Sequence, residues 1–280
     1  MASPKILFEQ LAAHTWERLK LSWEYGISQG EETITDLLQL EVARCGSPRI
    51  YVVKTTKAHE AQSGIDWEWW IGDDFSGWLR FAIQAKKIGA SGRYHALKHQ
   101  VKLPGRRKQY QHNLLKRYAK EKGAVPLYCL FNHVRSAKVD ARRHWHCSAS
   151  FEPEQLGCTL APVEKIDEAL RKRGCRTFDF IHRHWSTFPW RCLFCPQCDG
   201  FPFLLRTSTF TTGRPPRLYR RLPPSLAFAK DTDRVLGSEI EDDATETFGN
   251  NFPVLPRRIM LIETNLFDIS NEIIDMTILD

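Results

Sequence analysis

The run Ser63–Lys87, SGIDWEWWIGDDFSGWLRFAIQAKK, constrains this chain more than any other stretch. Two apolar segments flank a turn in which Gly72 and Gly77 supply the conformational freedom, which predicts a β-hairpin. The first segment opens with the acid Asp66, and the second closes on Gln84-Ala85-Lys86. Strand side chains alternate faces, so Gln84 and Lys86 share one face while Phe81, Ile83 and Ala85 share the other. An acid, a carboxamide oxygen and an amine then converge at the polar edge of an apolar hairpin. That arrangement predicts a cradle for a divalent cation and a phosphate. Trp67 and Trp69 alternate with Asp66 and Glu68 and are expected in the core. Trp70 and Trp78 are read as packing residues before base-stacking ones.

With 280 residues, 42% of them apolar, the chain can bury one large core or two small ones. Nine Trp and sixteen Phe exclude an intrinsically disordered class. No apolar run reaches the length of a membrane span, and the N-terminus lacks a signal-peptide plan, so a cytoplasmic protein is expected. Eight cysteines in a chain of this length and compartment read as free thiols or metal ligands, not as a disulfide framework. Cys45, Cys129, Cys147, Cys158 and Cys175 are scattered and read as single buried thiols. Cys192, Cys195 and Cys198 form C-x2-C-x2-C, with His182, His184 and Cys175 as fourth-ligand candidates for a structural Zn²⁺. Buried thiols are the preferred reading there too, because a zinc ribbon would show two separated pairs.

Helices are expected over Pro4–Tyr25, from Glu31 (EETITDLLQLEVAR), over Lys108–Lys122 ending at Gly123, and over Val163–Arg173. Strands are expected over Arg49–Thr55 and Val125–Asn132, with a further one over Arg142–Phe151. Glu31 falls near the buried stripe of its helix, while Glu32 points away from it. Gly213–Pro224 reads as an extended linker or arm. Asp231–Asn251 reads as acidic and mobile, and Phe252–Asp280 as a segment that docks back or forms a peripheral element. The division expected is a domain over 1–190, a Cys-containing segment and Pro/Arg-rich linker over 191–230, and an acidic extension over 231–280.

Charge is uneven. Ser91–Cys147 carries fourteen Lys or Arg against two acids, whereas 231–280 carries twelve acids against three arginines. The basic block directly follows Lys86 and predicts a polyanion partner, nucleic acid first. Its candidate phosphate contacts are Arg106, Arg107, Lys108, Gln109 and Lys116.

The order of a helix Glu, G-x-D on one strand, Q-x-K on the next, then helix and strand resembles the PD-(D/E)xK nuclease superfamily. GID…IQAKK is closest to its Mrr-like restriction endonuclease branch, and Gly30 to Asn132 carries the likeness. A longer stretch is similar to the family DUF6615, through GIDWEWWI, QAKKI, Gly157-Cys158 and Pro189–Cys195. Two features depart from the nuclease pattern: Ile65 stands where Pro is usual, and Gln84 replaces the second acid.

What the nuclease resemblance implies is an α/β fold with a restriction-endonuclease-like mixed sheet flanked by helices. The implied activity is Mg²⁺- or Mn²⁺-dependent phosphodiester hydrolysis, DNA before RNA, with defence against foreign DNA as its implied setting. Asp66, Gln84 and Glu31 would hold the metal, with Glu60 and Glu68 in reserve, and Lys86 would act on water and on transition-state charge. The alternative is a nuclease-fold module that binds nucleic acid or nucleotide without cutting. No membrane partner is expected, and a homodimer is compatible with the sequence.

Overall fold

The predicted hairpin sits in the middle of a mixed sheet. The computed structural model describes residues 3–45, 49–54, 65–102, 108–135, 138–195, 198, 200–231, 258–268 and 278–279. Its strands, in chain order, are β1 (Ile50–Lys54), β2 (Trp67–Asp73), β3 (Gly77–Lys87), β4 (Gln100–Val101), β5 (Gln109–Tyr110), β6 (Val125–Phe131), β7 (Cys158–Pro162), β8 (Phe188–Pro189), β9 (Leu218–Tyr219), β10 (Arg258–Glu263) and β11 (Ile278–Leu279). Among the described residues the main sheet runs β1-β10-β2-β3-β6-β7-β8, with β9 on the early part of β3 and β11 on β9. β10/β2 and β3/β6 are parallel, and the other neighbours in that run are antiparallel. β4 and β5 form a separate ribbon.

The turn between β2 and β3 works through backbone fit. Gly72 has φ +149°, and a Cβ there would stand 2.0 Å from the Gly77 carbonyl oxygen. Asp73 Oδ1 accepts the N–H of Phe75 at 3.0 Å and of Ser76 at 2.6 Å. The hairpin then holds its register from Asp73 opposite Gly77 to Trp67 opposite Ile83.

Helices cover both faces. α1 (Pro4–Glu24) starts at the Ser3 cap with Pro4 in its first turn, and α2 spans Glu31–Cys45. Both pack on the face carrying Trp67, Trp69, Phe81 and Ile83, where Phe8 meets Trp69 edge-on at 5.6 Å and Trp69 meets Trp190 at 5.2 Å. Gly157 permits α1 to lie directly on the turn before β7, since a Cβ there would stand 2.0 Å from the Ala12 carbonyl oxygen. The helices Gln111–Lys122 and Val163–Arg171 cover the opposite face through Leu115 and Ile166, over Ala82, Tyr128 and Leu130. The first of these ends where expected, on Gly123 at φ +61°. Burial of Trp70 and Trp78 fits their reading as packing residues.

One expectation changes, one helix was not expected, and one open alternative is decided. Arg142–Phe151 holds no strand: Asp140 caps the N–H of Arg142 at 2.9 Å and starts a short helix, Ala141–His144. Gly200–Thr212 is a helix with no counterpart among the expected elements. Of the segment expected to dock back or lie peripherally, the described part docks back, with Arg258–Glu263 inserted between β1 and β2. Residues 232–257, which hold most of the acidic stretch, lie outside the described residues.

Glu68 is not available as a reserve ligand. It is fully buried, and its carboxylate accepts Trp70 Nε1 at 2.7 Å, the Tyr118 hydroxyl at 2.7 Å and Arg80 Nη2 at 2.6 Å. Burial opposes the Arg80 charge, but the adjacent Glu68 carboxylate outweighs it and raises the guanidinium pKa. Burial and Glu68 together push the Tyr118 hydroxyl up. Removing one partner of a dry pair strands the other charge. Glu68→Ala is therefore expected to cost about 3–5 kcal/mol in urea unfolding, and Glu68→Leu with Arg80→Met considerably less. A single-variant loss below about 1 kcal/mol would mean that the pair behaves as a hydrated surface bridge.

Candidate functional site

β3 outruns its neighbour. Its pairing with β2 ends at Ile83, while β6 continues alongside to Lys87. Among the described residues, Gln84–Lys87 therefore face side chains instead of a strand on the β2 side. Asp66, anchored by its N–H to the Ile83 carbonyl at 2.9 Å, turns its carboxylate back to accept the Ala85 N–H at 2.7 Å. Glu31, at the start of α2, accepts the Lys87 N–H at 3.0 Å. Two residues of strand separate these N–H groups by about 7 Å, so both carboxylates lie along one stretch of open strand edge.

The side chains between them complete the cluster. Lys86 is buried and its ammonium donates to Glu31 Oε2 at 3.1 Å. It is not at a solvated rim, as the hairpin alone would suggest, because α2 closes over the strand end. Gln84 is fully buried, and its Nε2 donates to Asp66 Oδ2 and lies 3.4 Å from the Ala85 carbonyl oxygen. Its Oε1 has no hydrogen-bond partner. A buried orphan acceptor is costly, of order 1–3 kcal/mol, and calls for a ligand, an ion or water.

The donor set fits a hard divalent cation. Gln84 Nε2, a donor, stands between the Asp66 carboxylate and the Ala85 carbonyl, where a cation would find two oxygens. The two ends of a carboxamide are chosen from the hydrogen-bond network. With a cation present, the amide turned end for end would offer Oε1 as a third oxygen.

Lys87 was not among the expected site residues. Its ammonium donates to the Gln29 carbonyl and to Ser28 Oγ, the latter at 3.4 Å, and so ties the loop before α2 to the strand end. The doubled lysine of QAKK was the available signal. Glu60, Arg106 and Arg107 lie outside the described residues. Lys108 is exposed, and Gln109 Oε1 accepts from Arg117 at 3.5 Å. Lys116 is not an open phosphate contact, for it donates to Asp167, which also bonds His112. Burial would raise the Asp167 carboxyl, but the His112 and Lys116 bonds prevail and hold it at about 2.

A different basic concavity of about 500 Å³ lies just beyond β3. Arg93, Lys98, Arg171, Lys172, Arg173 and Arg176 line it. The loop after β3 and the loop after the helix Val163–Arg171 are zipped by Tyr94 N–H to the Arg176 carbonyl, 2.9 Å, and Phe178 N–H to the Gly92 carbonyl, 3.0 Å. The sequence signal was KRGCR, Lys172–Arg176, at the end of an amphipathic helix.

The expected C-x2-C-x2-C set is rearranged. Cys147, Cys192 and Cys198 have their sulfurs within 4.8 Å of one another, and Cys195 is not of that group. Cys147 is one of the thiols expected to stand alone.

Among the described residues no helix is long and apolar enough to cross a membrane. The model of a family of unknown function, DUF6615, matches residues 5–262, nearly the whole chain. No curated protein and no solved structure matches it.

Replacing the buried amide by a second carboxylate tests the cation cradle without any assay of activity. Gln84→Glu is expected to melt several degrees below wild type in EDTA, because two carboxylates then share one site. Mg²⁺ or Mn²⁺ should raise its melting temperature more than that of wild type. Equal melting curves in EDTA and in metal for both proteins would show that no cation enters between Asp66 and residue 84.

Proposed function

We propose that this chain, which belongs to the DUF6615 family, is a metal-dependent nuclease of the PD-(D/E)xK kind that hydrolyses phosphodiester bonds, in DNA before RNA. The observation that carries the reading is the buried Gln84 amide: its nitrogen bridges Asp66 and the Ala85 carbonyl while its oxygen goes unpaired. The chain order of Glu31, Asp66, Gln84 and Lys86 resembles that superfamily, and its Mrr-like branch makes defence against foreign DNA the favoured setting.

Asp66, Gln84 and the Ala85 carbonyl would hold Mg²⁺ or Mn²⁺, with Glu31 along the same edge. When bound, the ion supplies Lewis-acid polarisation of the scissile phosphate. The protein's own part is positional. Lys86, kept in place by Glu31, offers an ammonium to a phosphate oxygen as charge builds there, or orients the attacking water. Lys87 fixes the entry of α2, and through it the Glu31 carboxylate. The concavity lined by Arg93, Lys98, Arg171, Arg173 and Arg176 supports a polyanion running past the strand end.

One observation favours a second reading. Gln84 brings no charge, and its amide closes the site by bonding Asp66, as a module that grips nucleic acid without cutting would permit.

Plasmid cleavage with Mg²⁺, Mn²⁺ and EDTA separates the two. Asp66→Ala is expected to lose both cleavage and metal binding. Lys86→Met, chosen to fill the buried volume, should keep metal binding and lose about 10²–10³-fold in rate. A wild type that binds DNA but never cuts, and that Lys86→Met matches in every respect, leaves the binding module.

Affinity should fall steeply with salt. On duplex DNA, each phosphate that the protein neutralises adds about 0.9 to the steepness of log K against log salt. Arg171→Glu with Arg173→Glu should weaken binding to all sequences alike and flatten that slope by roughly one to two. Lys108→Glu, on the other basic stretch, is the comparison. If Lys108→Glu weakens binding and the Arg171/Arg173 pair does not, the nucleic-acid face is the Lys108 side.

A further inference from the structure

We propose that Cys147, Cys192 and Cys198 bind one Zn²⁺ ion that cross-links two parts of the chain, independent of the strand-edge cluster. Three sulfurs from two separate parts of the chain meet. Cys192 comes from the turn Trp190–Phe194 that follows β8, Cys198 from the segment just after it, and Cys147 from the loop after Ala141–His144. All three are buried, and none is in a disulfide.

The spacing is that of a metal cage. A tetrahedral zinc with Zn–S near 2.3 Å sets its sulfurs about 3.8 Å apart. Cys147 Sγ and Cys198 Sγ are 3.6 Å apart, and all three sulfurs lie within 4.8 Å of one another. Cysteines that merely fill a core behave as small hydrophobes and have no need to turn their sulfurs together.

The backbone is arranged around the sulfurs as well. The Cys198 N–H donates to the Cys195 carbonyl at 3.0 Å, which ties Cys198 to the end of the turn that carries Cys192. The Ala149 backbone hydrogen-bonds the Cys147 sulfur, and Trp145 Nε1 donates to the Ala149 carbonyl at 2.7 Å, which fixes the 145–149 loop. The 145–149 loop has neither helix nor strand across Cys147, so a cross-link there joins it to the segment carrying Trp190.

Three soft sulfur donors without a carboxylate select zinc over magnesium or calcium. Binding converts three thiols to thiolates and releases their three protons to solvent; no electron is transferred. Cys147 and Cys198 lie at the slightly exposed edge of the cluster, 9% and 8% accessible, so water can complete the tetrahedron.

The test is metal content of the full chain, purified without chelator and measured by plasma emission, with X-ray absorption at the zinc edge. The expected result is one zinc per chain with three sulfur neighbours. Cys147→Ser, Cys192→Ser and Cys198→Ser should each weaken zinc by about 100-fold or more, while Cys195→Ser and Cys175→Ser retain it. Should the serine variants fail to fold, wild type answers alone: zinc should shield three cysteines from iodoacetamide, and a chelator should expose them. A chain that takes up no zinc and titrates as eight free thiols overturns the proposal. So does a Cys147–Cys198 disulfide found by mass spectrometry. Loss of zinc in Cys195→Ser with retention in Cys147→Ser would restore the local C-x2-C-x2-C set and overturn it equally.

Discussion

β3 continues four residues past the end of its pairing with β2, and the site is built from the consequence. A strand edge buried without a partner leaves N–H groups unsatisfied, each worth kilocalories. Among the described residues, two carboxylates stand where a pairing strand would. Asp66 answers the Ala85 N–H, and Glu31 answers the Lys87 N–H. Because a strand residue's N–H and C=O lie on the same edge, the Ala85 carbonyl faces the same gap. Two acids, a carbonyl, a carboxamide and a lysine are thus gathered by backbone accounting before any ligand is considered.

The charges in that gap explain why it can stand closed. Asp66 and Glu31 bring two negative charges and Lys86 one positive. A third carboxylate at position 84 would force neighbouring acids to share a proton or demand a cation. A glutamine avoids both, since its amide nitrogen donates to Asp66 and lets the cluster fold around itself. The same exchange lowers the pull on a hard cation, because a neutral oxygen contributes dipole without charge. On the function proposed above, position 84 would trade metal affinity for a site that folds without metal.

Much of this was legible in the sequence. The period-2 pattern of FAIQAK gave the faces of β3, and the glycines at 72 and 77 gave the turn. Glu31 was legible only in part: its position at the start of α2 was readable, its reach to Lys87 was not, since it depends on how α2 crosses the sheet. Glu68 was misread because alternation puts it on the face of Asp66. What claims it is Arg80, which sits opposite Trp70 and so diagonal to Glu68 across the hairpin. β10 was hidden for another reason. A parallel strand that returns after a long excursion leaves no local signal of its neighbours, and RIMLIE reads equally well as a peripheral strand. Cys147 illustrates the same limit, since its partners lie about fifty residues away and C-x2-C-x2-C suggested a closer third member.

The two clusters also differ in the ion each can take. At the end of β3 the ligands are oxygens, and the positive charge among them is the Lys86 ammonium. Between the 145–149 loop and the Trp190 turn the ligands are all sulfur. Hard cations that keep their waters suit the first, and a borderline-soft ion suits the second. The sulfur cluster shares its apolar layer with Trp190, whose ring packs on Trp67 and Trp69 of β2. The Asp66 backbone enters that same strand. A cross-link at the cysteines would therefore steady the support of the hairpin from one side, while α2 holds it from the strand end through Glu31. Loss of the proposed sulfur cross-link should then loosen the position of Asp66 without removing any oxygen donor at the end of β3.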